Sequence, residues 1–358
     1  MKKVITILSV MSALLLFGCR HNSVIYPESL LTADSLATFG NPDSAVTLLN
    51  ELAPQMTSAA DPVRHYFELL TIKARDKAKL PFMSDSLVIS TVSYYENDGD
   101  IRHLPEAYYY MGRFLSDLGD APQALVYFQK GIDVIEKDSF AEYKKIQPFK
   151  TNKLLGLLYV QSGYLLIKQH LYDDARSKIQ MAYYVDSINN DTSGMALCLM
   201  DIGQTLHMQG HYEEALNYYK KCELLSIQNK DSLIITKAIF QEIHTLVIQK
   251  KIDEARSLFW NRINDYTKLT NPAHCTIVGN MYSAANEIDS AKFFFGRSIN
   301  NGSLVQRAHA HIWFANEDAN KGHIKSAINH INDYIFLTNK IDRQQDSETT
   351  ALTNSLYN

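Results

Sequence analysis

Apolar residues recur along this chain at helical spacing, in paired blocks separated by Gly, Asn, Asp or Pro. The clearest pair is 196–231, which reads as two antiparallel helices meeting at Gly210. Weaker copies begin at Pro105, Gly156, Thr236, Pro272 and Ala308. Four of the first helices carry a Gly at one shared position: Gly112, Gly163, Gly203 and Gly279. The second helices align Ala124, Ala175, Ala215, Ala255, Ala291 and Ala327, each followed four positions on by Phe128, Ile179, Tyr219, Phe259, Phe295 and Ile331. Upstream, the pattern predicts helices over 27–38, 43–53, 61–79 and 84–97, with a stop and restart at Gly40-Asn41-Pro42.

The small, Ala and aromatic anchors resemble the tetratricopeptide repeat, a helix-turn-helix unit of about 34 residues. Small residues let helices approach, and large ones fill the space between hairpins. One hairpin cannot bury its apolar face alone, so neighbours must stack. The resemblance implies an all-α, right-handed α-solenoid of about eight hairpins over 27–341. Successive anchor Ala residues lie 51, 40, 40, 36 and 36 positions apart. The surplus falls in 136–151, 186–193 and 228–232, which read as lengthened second helices. After 341 the pattern stops, and 342–358 is polar enough to predict a disordered tail.

The N-terminus reads as a processing signal. Lys2 and Lys3 precede an apolar run over 4–17, and Leu16-Phe17-Gly18-Cys19 resembles a bacterial lipobox. That resemblance implies removal of 1–18, acylation of Cys19 with fatty acid such as palmitate, and a short tether over 19–26. Acyl chains contribute about 0.8 kcal/mol per buried methylene, so several would hold the protein on a membrane. Ala33-Asp34-Ser35-Leu36 and the segments 41–49, 94–100 and 107–113 resemble tetratricopeptide-repeat lipoproteins of Bacteroidetes type. The implied address is the periplasmic or outer-membrane face of a Gram-negative cell.

Charge and motifs exclude several classes. With 35 Lys and Arg against 39 Asp and Glu, and no basic run, the chain has no footprint for nucleic acid. It carries no His-Glu-x-x-His, Gly-x-Ser-x-Gly, phosphate-binding Gly loop or Cys-x-x-Cys. We therefore expect no catalytic residue, no metal and no cofactor. His207 and His211 flank the turn at Gly210, and His309 and His311 are two apart, which on a helix points them away from each other. Cys198, Cys222 and Cys275 suit apolar helix faces; Cys198 and Cys222 are the one pair placed to bridge.

What remains is a binding surface. In tetratricopeptide arrays the first helix of each hairpin lines the concave groove. Carrying those positions over gives Tyr109, Arg113, Tyr164, Met200, Gln204, His207, Phe240 and His244 as expected contacts. The mixture is aromatic and aliphatic with little net charge, which suits a protein or peptide partner. A non-enzymatic, membrane-anchored interaction scaffold is the leading expectation. The competing ones are a glycan- or nutrient-capturing lipoprotein beside an outer-membrane transporter, and a sensory ectodomain partner in regulation. Many longer relatives continue into an apolar span that this sequence lacks, which counts against direct signalling. Oligomeric state stays open.

Overall fold

The computed structural model describes residues 24–357, apart from 83, 98–99 and 264–268. Cys19 and the lipobox lie outside the described residues. Among the described residues there are seventeen α-helices and no strand. Contacts divide the chain into two compact units, Met1–His103 and Leu104–Asn358, where the sequence pattern runs on without a break.

The first unit contains α1 (Glu28–Phe39), α2 (Pro42–Met56), α3 (Asp61–Lys77) and α4 (Asp85–Asn97). Asn41 starts α2 by accepting from the amides of Asp43 and Ser44, with Pro42 at the first helical position. Leu30, Ala33, Ala45, Leu49, Tyr66 and Leu70 make the core. The Lys73 ammonium reaches the Asp34 carboxylate at 2.6 Å, tying α3 to α1.

The second unit opens with α5 (Leu104–Asp117), α6 (Ala121–Glu136), the short α7 (Ala141–Ile146) and α8 (Pro148–Lys168). Hairpins follow as α8 with α9 (Tyr172–Ile188), α10 (Thr192–Met208) with α11 (Tyr212–Gln228), and α12 (Ser232–Ile248) with α13 (Ile252–Arg262). The last two pair α14 (Pro272–Ala284) with α15 (Ile288–Asn301), and α16 (Leu304–Asn320) with α17 (Ile324–Tyr357). Asp120, Asp191, Asp231 and Asn271 each cap a helix with a side-chain oxygen, and Ser303 with Gln306 forms a capping box. Every hairpin turn of this unit uses one left-handed residue: Gly119, His170, Gly210, Lys250, Asn286 and Gly322.

Two expectations change. The surplus at 136–151 is no extension of the second helix: α6 ends at Glu136, a 3-10 turn and α7 follow, and Pro148 opens an early first helix. Pro148 sets this boundary, because its ring fits the first turn of a helix but not its interior. Second, α17 continues to Tyr357, so the backbone of 342–357 is helical where the sequence pattern predicts a polar tail. No Gly or Pro occurs between Ile324 and Tyr357, so nothing local stops the helix.

Candidate partner-binding face

The helices α8, α10, α12, α14 and α16 are the first helices of consecutive hairpins. Side chains that escape their core lie in rows that bridge one helix to the next. The Tyr164 hydroxyl on α8 donates to Asp201 Oδ2 on α10 at 2.9 Å. Asp201 is buried, and burial pushes its carboxyl up to about 6 against the lowering effect of the Tyr164 bond. Burial, and then the Asp201 charge, push the Tyr164 phenol up as well. The proton therefore stays on Tyr164 at neutral pH, and a charge-assisted bond joins the two helices.

A second row is built of imidazoles. His207 on α10 stacks on His244 of α12 with ring centres 5.0 Å apart and planes 27° apart. Thr245 gives its hydroxyl proton to the Gln241 carbonyl at 2.8 Å. Its oxygen therefore accepts from His207 Nδ1–H at 2.9 Å, which leaves His207 Nε2 as the acceptor. Burial pulls the His207 pKa down, and burial with the neighbouring His207 and His309 pulls His244 down to about 4. His274 on α14 lies flat on Phe240 of α12, with ring centres 3.9 Å apart. Burial, and then Lys237, hold it down at about 4. These rings are neutral at pH 7, so the face offers hydrogen-bonding and stacking groups more than charge.

The expected contact residues separate into two sets. Tyr164, Met200, Gln204, His207 and His244 stand partly or wholly exposed on this face. Tyr109 and Phe240 do not: they are 3% and 1% exposed. Tyr109 packs on Tyr110 and Phe128, and Phe240 is covered by His274 from the next repeat, so both belong to the core. Arg113 is half-buried, 3.4 Å from Gln161 and 3.8 Å from Asp117. Sequence reasoning missed Asp201 and His274, and weighed His309 only beside His311. An acidic residue inside the apolar run of α10 was the available signal for Asp201. Cys198, Cys222 and Cys275 are free thiols, so the considered bridge is absent. The Cys198 thiol points at Asp186 at 3.6 Å instead.

The tetratricopeptide-repeat family model matches residues 154–223, which span α8 to α11. The fold is that of an all-α tetratricopeptide-repeat solenoid, with the repeat itself matched over 154–223. Among solved structures, apo RapI is similar at TM-score 0.60 and 14% identity, over 78% of this chain and 99% of that one. A signal-transduction ATPase with a tetratricopeptide-repeat sensor, from Pyrococcus horikoshii, gives 0.58 at 12% identity, over 90% and 44%. The Rap conjugation regulator of plasmid pLS20, solved with the Phr* peptide, gives 0.51 at 11%, over 91% and 99%. No curated protein matches the sequence. At these identities the likeness is one of fold.

Proposed function

We propose that the chain is a non-enzymatic interaction scaffold of Bacteroidetes lipoprotein type. In this reading it takes a peptide or protein segment on the face formed by α8, α10, α12 and α14. One observation carries the proposal: the bridged rows Tyr164–Asp201 and His207–His244 hold accessible side chains in fixed positions across successive repeats. Fixed donors, acceptors and rings reduce the ordering cost of binding. The pLS20 relative in complex with a peptide supports the partner class. Among the described residues no helix is long and apolar enough to cross a membrane. In our proposal, membrane attachment comes from lipid on Cys19, at the periplasmic or outer-membrane face.

The test is crosslinking and pull-down from the native membrane, with wild type against Tyr164→Ala, His207→Ala and His244→Ala combined. Loss of a reproducible partner in a variant that remains helical and folded at the assay temperature supports the reading. An unchanged partner set overturns it.

A further inference from the structure

The last hairpin brings together side chains that neither the repeat pattern nor the binding face uses. His311 on α16 points its Nδ1 at His330 Nδ1 on α17, 3.0 Å away. Asp333 lies one helical turn after His330, on the same side of α17. Its Oδ2 sits 3.5 Å from His311 Nδ1. The three ligand atoms all lie within 4.8 Å of one another.

We propose that His311, His330 and Asp333 form a binding site for a divalent transition ion such as Zn2+. Bonds of roughly 2.0–2.1 Å to a tetrahedral centre place neighbouring donors about 3.3 Å apart. The measured 3.0 Å and 3.5 Å edges straddle that spacing. The Asp333 side chain is 59% exposed, so its carboxylate is free to turn and close the third edge. Two imidazoles and a carboxylate suit Zn2+, Co2+ or Ni2+ better than the oxygen-seeking Mg2+ or Ca2+.

The surroundings supply groups that could serve as the outer shell of a metal-bound imidazole. With Nδ1 committed to the ion, His330 Nε2 lies 3.9 Å from Asp318 Oδ2, beyond a hydrogen bond as it stands and within reach of a small turn of the carboxylate. A carboxylate on the far nitrogen of a ligating His fixes its tautomer and raises its basicity. Phe314 stacks on the His330 ring with planes 20° apart and restrains its rotation. His311 is 7% exposed and so is held by the core of the hairpin. Three protein ligands leave a fourth position for water or a ligand atom from a partner. The ion would join α16 to α17 where α17 begins its long run to Tyr357.

The test uses the purified full chain without an affinity tag. Co2+ titration should give ligand-field absorption that saturates at one ion per chain, and Zn2+ should displace it and raise the melting temperature. His311→Asn and His330→Asn should each weaken affinity by about 100-fold or more, and Asp318→Asn by roughly 10- to 100-fold. His170→Asn with His211→Asn, at two exposed histidines outside both sites, should leave the titration unchanged. Circular dichroism checks that each variant is folded. Failure of Co2+ and Zn2+ to bind stoichiometrically overturns the site, as does undiminished binding in folded His311→Asn and His330→Asn. Either result makes the cluster a metal-free hydrogen-bond network.

Discussion

The ring of Tyr219 lies against the Cα of Gly203, so close that a Cβ on Gly203 would meet Tyr219 Cε1 at 2.6 Å. The same contact recurs between Gly112 and Phe128, Gly163 and Ile179, and Gly279 and Phe295. Tyr219 is fully buried and cannot swing away. Gly203→Ala should therefore cost about 1–3 kcal/mol through overpacking. Gly296 is the contrast: it lies inside α15 with nothing near its missing Cβ. Gly296→Ala should stabilise by roughly 0.5–1 kcal/mol, since Gly is a poor helix residue. Denaturant unfolding of the two variants checks both signs. Equal effects would show that Gly203 is held by helix propensity and not by the ring.

This recurrence explains what was legible in the sequence. A Gly and a large apolar residue at a fixed offset meet within one hairpin, so the local pattern alone locates the contact. The binding face depends instead on contacts between hairpins, and the spacing there varies. Phe240 sits at an outward repeat position, yet His274 of the next repeat covers it. Asp201 looks like one more helix residue until Tyr164, 37 positions earlier, is found to bond it. His311 pairs with His330 across two helices and not with His309 beside it. The helical 342–357 was hidden because polar composition argues for disorder while the absence of breakers argues for helix.

The buried groups of this face predict a pH dependence with two opposing parts. His244 and His274 are held at about 4 in the fold, mainly by burial. An unfolded imidazole titrates near 6.5. Below about pH 6.5 the unfolded chain takes up protons that the folded chain refuses, so stability falls as pH drops towards 4. Asp201 acts in reverse, held up at about 6 by burial. Its unfolded pKa is about 3.9, so its contribution is full below that value and lost as pH rises through 6. His244→Gln with His274→Gln should flatten the loss of stability on acidification. Asp201→Asn should be more stabilising, relative to wild type, near neutral pH than near about pH 4. Urea unfolding across that range measures both, and parallel curves for all three proteins would refute the assignment.

Lipid attachment predicts a fractionation result. Wild-type chain should partition into the detergent phase and incorporate labelled palmitate, because several acyl chains are buried at about 0.8 kcal/mol per methylene. Cys19→Ser should remain aqueous and unlabelled, while Cys198→Ser, Cys222→Ser and Cys275→Ser, altering buried thiols, should behave as wild type. Labelling that survives Cys19→Ser would rule out the proposed anchor.

Burial divides the expected contact residues by the kind of damage their loss should cause. Tyr109 and Phe240 are enclosed. Tyr109→Ala or Phe240→Ala should destabilise by about 3–5 kcal/mol, and any loss of binding should follow loss of fold. Tyr164 is 39% exposed, and Gln204, His207 and His244 are partly exposed on the same face. Gln204→Ala should leave the melting temperature nearly unchanged, since no core contact is removed. Tyr164→Phe keeps the ring and deletes only the hydroxyl bonded to Asp201, so it isolates the bridge from the ring. Partner affinity should fall in Gln204→Ala and His244→Ala at unchanged far-ultraviolet dichroism. Affinity that tracks melting temperature across all these variants, buried and exposed alike, would mean that the partner reads only the intact fold.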